Sequence, residues 1–182
     1  MRQSSSLLAC ALALVACSGR PTDVCAGEQG RAVGTALLAF LSRSRAAHHR
    51  ADAREEQKDL AAAEAELSAV VSGPKPPCPN AAEVREVLAD TRARLAELRS
   101  RHGAFDAAAA DVDQGLTLVH ERSYFRGHLM EVRGLVEERR SKALTAAGDA
   151  AGARAAEERA LAAFQEAMRI QAAVIEQVVS KP

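Results

Sequence analysis

Tryptophan is absent from this 182-residue chain, tyrosine occurs once, and aromatic residues make up 3% of it. Stacking platforms for bases or sugars are therefore scarce. Neither sign of charge is in excess, with 24 basic against 24 acidic residues. That balance gives no electrostatic case for nucleic-acid binding and no polybasic patch for an anionic membrane. The short motifs that carry familiar chemistry are missing too: there is no G-x-S-x-G, H-E-x-x-H, P-loop or glycine-rich phosphate cradle. The chain reads as non-enzymatic, and no cofactor is implied.

What is present begins with one apolar run. Leu7 to Ala16 follows Arg2, the only charge before it. Ten residues make a secretory h-region and are too few to span a bilayer, which takes about 20. Leu14-Val15-Ala16-Cys17 resembles the bacterial lipobox. The resemblance implies that residues 1–16 are a signal peptide cut off before Cys17, that the Cys17 thiol carries diacylglycerol, and that its amino group is acylated as well. Leu7-Leu8-Ala9-Cys10 has the same pattern but leaves only three apolar residues upstream, too few for an h-region. Ser18, where an Asp would mark retention in the inner membrane, implies an outer-membrane lipoprotein facing the periplasm. Anchoring would then be by lipid, each buried methylene contributing about 0.8 kcal/mol.

Removing the leader leaves 182 − 16 = 166 residues, enough for one domain with a core. Residues 17–30 read as the lipidated tether and 31–182 as a helical domain. Ala, Leu, Glu and Arg dominate, all good helix formers, so the expected fold is all-α. Cys25 and Cys78 are the remaining thiols. In an oxidising periplasm an even pair suggests a disulfide, with two separate reduced thiols as the alternative.

Three segments align at a constant spacing of 45: "KDLAAAEAELSAVV" from Lys58, "GAFDAAAADVDQGL" from Gly103 and "GDAAGARAAEERAL" from Gly148. Their columns read Leu60/Phe105/Ala150, Ala63/Ala108/Ala153, Leu67/Val112/Glu157 and Val71/Leu116/Leu161. Glycine suits a helix C-terminus, where it adopts a left-handed conformation without strain. The pattern predicts six helices in three antiparallel hairpins, over 31–56 and 58–72, 81–101 and 104–121, and 124–147 and 149–178. Asn80 with Glu83 suggests a capping box for the third helix and Ser123 a cap for the fifth. "SGPKPPCPN" holds four prolines and cannot be helical. The expected helix lengths and an extended connector permit Cys25 to reach Cys78, and a Cys25–Cys78 disulfide is expected.

The unit "ARLAELRSRHGAFDAAAADVDQGLTLV" resembles the tetratricopeptide repeat, through Leu95, Ala96, Gly103, Phe105 and Ala108. Its period is longer than the usual 34 residues, and Lys58 replaces the glycine of the first unit. The resemblance implies a short right-handed solenoid that binds a partner along its first helices. Its groove positions carried onto this chain are Arg45, His48 and Asp52, then Asp90 and Glu97, then Glu138 and Lys142. His48 and Asp52, at i,i+4, are two corners of a metal site with no third ligand at a supporting spacing. Adjacent His48 and His49 diverge by about 100° on a helix, and Glu137-Glu138 reads as surface acids. Tyr124-Phe125 reads as a plug between hairpins. The function expected is a protein-protein interaction scaffold, a pilotin or assembly factor for an envelope complex. The alternative is a periplasmic lipoprotein that binds or senses a metal or small ligand.

Overall fold

The computed structural model describes residues 34–77 and 79–180. All four cysteines fall outside them, so the lipid site at Cys17 and the Cys25–Cys78 pair lie outside the described residues. Those residues form six helices and no strand: α1 Thr35–Glu56, α2 Leu60–Ser72, α3 Ala82–Arg101, α4 Phe105–Leu116, α5 Tyr124–Ala146 and α6 Ala150–Val179. The fold is all-α. No described helix is long and apolar enough to cross a membrane.

The three turns at the 45-residue spacing are built alike. Lys58, Gly103 and Gly148 all take a left-handed backbone, with φ of 62°, 85° and 82°. In each, that residue's N–H donates three residues back and the next N–H donates five back. The pairs are Lys58 to Glu55 and Asp59 to Arg54, Gly103 to Ser100 and Ala104 to Arg99, and Gly148 to Thr145 and Asp149 to Leu144. These are three Schellman closures, which satisfy carbonyls left open by the ending helix. The next residue then starts the second helix. Asp59 accepts from the Ala62 N–H and Asp149 from the Gly152 N–H, whereas Ala104 supplies no side-chain cap.

Each pair of consecutive helices is antiparallel. Along α5 and α6, Ser141 meets Ala153, Glu137 meets Arg159, Gly134 meets Phe164 and Gly127 meets Gln171. First helices lie side by side and run the same way, with His48 against Thr91, Asp52 against Arg94 and Glu55 against Arg101. α3 is central, touching α1, α2, α4 and α5. Its Leu95 and Leu98 close a core with Ala51, Ala63 and Leu67. Its Ala89, Ala93 and Ala96 close a second core with Ala108, Val112, Leu129, Val132 and Val136. Val84 joins Leu37 and Phe40 in a third. α4 and α6 do not touch, and a cleft of about 360 Å³ opens between them over α5.

The third hairpin departs from the aligned columns. The expected apolar position Leu161 is 56% exposed. α6 instead buries Ala153, Ala156, Ala160, Ala163, Ala167 and Ile170, whose alternating three- and four-residue steps make a coiled-coil seam. α5 answers with Gly127 and Gly134, where an added Cβ would lie 2.6 Å from Gln171 and 2.5 Å from the Phe164 ring. Small residues on both sides set the close approach. The earlier hairpins use larger side chains at the aligned columns, so the register shifts.

Other expectations also change. α3 is capped by Ala81 with no side-chain hydrogen bond, so the Asn80–Glu83 box does not form. α4 stops at Leu116, short of residue 121. Ser123 does cap α5, accepting from the Arg126 N–H at 3.2 Å. Tyr124 is 55% exposed and does not plug the hairpins, while Phe125 packs on the core. Glu137 is buried, held by Arg159 at 2.8 Å, and is no surface acid.

Candidate functional site

Side-by-side packing of α1 and α3 gathers most of the polar residues singled out from the sequence. His48 Nε2 lies 2.9 Å from Thr91 Oγ1. The Thr91 hydroxyl spends its one proton on the Val87 carbonyl at 2.7 Å. The imidazole must therefore donate from Nε2–H, which assigns the neutral tautomer from the hydrogen-bond pattern. Nδ1 then faces the Asp90 carboxylate at 4.0 Å. Burial lowers the His48 pKa below its ordinary value of 6.5, against the opposing pull of Asp90 and Asp52; Arg94 and His49 lower it further.

Next to His48 an open cleft of about 370 Å³ is lined by Leu41, Ser44, Arg45, Val87 and Asp90. Leu41 and Val87 make its apolar part, with Arg45 and Asp90 at opposite charge. Ser44 is 2% exposed, and its Oγ has no hydrogen-bond partner among the described residues. Such an atom favours filling of the space beside it, because an unsatisfied buried hydroxyl costs about 1–3 kcal/mol.

Farther along the same seam, Arg94 gathers three carboxylates: Asp52 at 3.1 Å, Glu97 at 3.4 Å and Glu55. Arg101 closes on Glu55 from two turns farther along α3. Arg45, His48 and Asp90 thus share the cleft, and Asp52 and Glu97 meet through Arg94 beside it. Glu138 and Lys142 pair with each other one turn apart on α5 and do not line the cleft. Among the described residues, no group of three or more His, Cys, Asp or Glu is placed to hold a metal ion. Asp52, proposed as a metal corner with His48, is committed to Arg94 instead.

Thr91, Ser44 and Arg94 were not singled out from the sequence. The repeat period carried a usable signal: 45 residues added to His48, Asp52 or Glu55 lands within three residues of Thr91, Arg94 or Arg101. A second cluster was not anticipated at all. Buried Asp111 on α4 takes Arg92 at 2.9 Å and Arg99 at 2.5 Å; Arg99 also takes Glu64 of α2 at 2.8 Å, which His102 approaches to 3.3 Å. Burial raises the Asp111 carboxyl above the ordinary carboxylate range, against the downward pull of Arg99 and Arg92. Arg99 loses to burial and gains more from Glu64 and Asp111, so its guanidinium is held above its ordinary value. This cluster stitches α2, α3 and α4 together, and its members are committed to one another.

The class this arrangement defines is an all-α protein of antiparallel helix pairs, with a polar and apolar cleft between two parallel first helices. No family model matches the chain, and neither does any curated protein or solved structure.

Proposed function

We propose that the protein is a non-enzymatic, lipid-anchored scaffold of the outer membrane, facing the periplasm, which assists the assembly of another envelope protein. Its six helices act as a short right-handed solenoid of the tetratricopeptide kind. The observation carrying this reading is the packing of each new first helix on both helices of the preceding hairpin: α3 on α1 and α2, and α5 on α3 and α4. Repeat arrays with that connectivity present their first helices as a preformed surface. The mechanism is localisation: acyl chains on Cys17 keep the surface where the partner assembles, raising its effective concentration without tight contacts.

The α1–α3 cleft is the docking position within this reading. An apolar partner side chain enters between Leu41 and Val87, while Arg45 and Asp90 orient the chain around it. A photo-crosslinker at Arg45 in living cells is expected to capture one envelope protein, and an Asp90→Lys variant to lose that product. Equal capture from an exposed control position such as Lys142 would overturn the placement.

Ser44 and His48 favour a second reading, in which the cleft takes a small polar ligand or a metal ion. A rise in melting temperature with zinc or copper, lost in His48→Gln, would support it over the scaffold. An unchanged melting temperature would count against it.

A further inference from the structure

The described surface exposes seven large apolar side chains, five at one end of the helix stack and two, Leu161 and Met168, along the middle of α6. The parallel course of α1, α3 and α5 puts the start of α1, the start of α5 and the end of α6 at one end of the helix stack. Tyr124, Ile175, Val178 and Val179 are exposed there, at 55%, 63%, 72% and 79%. Leu38, in the first turn of α1, is exposed at that end too. The opposite end holds the three Schellman turns and exposes Lys58, Asp59, Arg101, His102 and Asp149, with no large exposed apolar side chain among the described residues.

The apolar end projects. Gln171 sits level with Tyr124, whose carbonyl it reaches at 3.4 Å, so α6 runs on past the start of α5. The stretch from Ala172 to Val179 is about 12 Å long at 1.5 Å per residue and holds one charge, Glu176. Tyr124 stacks on His128 and meets Phe125 edge-on, which fixes its ring beside that overhang.

We propose that this end rests on the lipid surface, with Ile175, Val178, Val179 and Tyr124 seated at the headgroup boundary. The proposal rests on the lipid-anchor reading of Cys17. Seventeen peptide steps separate Cys17 from Gly34, which bounds the reach of that segment at about 60 Å. The α1 helix, at 22 residues, is about 33 Å long. The chain from Cys17 enters α1 at its Gly34 end, so that end is joined directly to the lipid site and the turn end lies a helix length farther along the chain. A Cys25–Cys78 bond would shorten the leash further, because Pro77 belongs to the connector at that same end. The chemistry also suits a lipid boundary. Projecting aliphatic side chains enter the acyl edge, and a tyrosine keeps its ring apolar and its hydroxyl wet. A second copy is a poorer match, since even the seven large apolar side chains exposed on the described surface fall well short of the ~20–30 residues a side of a stable interface.

The absence of tryptophan allows a clean test. Tyr124→Trp gives one reporter indole at the apolar end and Gln57→Trp one at the turn end. Each chain carries a histidine tag in place of residues 1–16 and is held on phosphatidylcholine vesicles through nickel-chelating lipid, so orientation is read whether or not Cys17 is acylated. All described contacts lie within residues 34–180, which this chain retains. Brominated acyl chains are expected to quench the fluorescence of the Tyr124→Trp chain at least twofold and to leave that of the Gln57→Trp chain unchanged. Ile175→Ser/Val178→Ser/Val179→Ser in the Tyr124→Trp chain should abolish that quenching; circular dichroism of this exposed-site variant confirms its helices. Equal quenching of both chains, no quenching of either, or quenching that survives the triple substitution would overturn the proposal. So would shielding of the Tyr124→Trp indole from iodide without vesicles that grows with protein concentration, which would mark self-association. The anchor itself is tested separately, by membrane partition of Cys17→Ala.

Discussion

At Asp111 one buried carboxylate is shared by two guanidinium groups from α3. Removing it leaves Arg92 and Arg99, whose side chains are 19% and 23% exposed, without their shared partner. Breaking a buried pair in this way costs about 3–5 kcal/mol, so Asp111→Ala should lower the unfolding free energy measured in urea by an amount near the bottom of that range. A second residue-level prediction concerns pH. The folded state holds the His48 pKa below 6.5, so between the two values the unfolded chain binds more protons. Stability from this group is therefore complete above pH 6.5 and is lost as pH falls through the folded-state value. The facing groups are Asp90, Asp52, Arg94 and His49; burial outweighs the two carboxylates. Urea unfolding at about pH 7.5 and about pH 5.5 should show a drop that is smaller in His48→Gln, whose amide can still donate to Thr91. The burial behind both effects was not legible in the sequence. Which charges end up dry depends on which helices meet, and Asp111 reads in the sequence like any other helix acid.

The helical elements were legible to within a few residues, because their stops are local. The three left-handed turn residues recur at 45-residue intervals, and the deviant, Lys58, is the informative one. A left-handed backbone costs a residue with a Cβ roughly 1–2 kcal/mol. Lys58→Gly should accordingly raise the melting temperature, while Gly103→Ala and Gly148→Ala should each lower stability by about 1 kcal/mol, all read by thermal circular dichroism. The α5–α6 pair predicts a different sensitivity. Gly134→Leu drives a side chain into the Phe164 ring, and overpacking of this kind costs about 1–3 kcal/mol. The misread elements have separate causes. The α3 cap was read from the local Asn80–Glu83 spacing and the third unit's apolar columns from the better units, but Ala81 replaces the expected Asn80 cap and α6 follows its own heptad of alanines.

For the whole molecule, the proposed function joins two halves: a surface made by α1 and α3, and a lipid address read from residues 14–18. Membrane partition of Cys17→Ala checks the address; unchanged partition would remove it. Thiol labelling of the mature protein without reductant should find no free sulfhydryl if Cys25 and Cys78 are joined. The proposed groove was legible only in outline. Arg45, His48 and Asp90 do come together, whereas Glu138 and Lys142 stay apart from them, because α5 packs on α3 and α4 and does not touch α1.

The sequence by itself determined the helices, their turns and the 45-residue repeat, because helix propensity and left-handed glycines act over a few residues. It also carried the absence of aromatic and catalytic motifs. Only the tertiary structure decided which of those polar residues meet, which carboxylates are buried, and that α6 leaves an apolar end projecting past α5. Those outcomes depend on how closely helix backbones approach, and that distance is set by pairs of side chains from helices far apart in the chain.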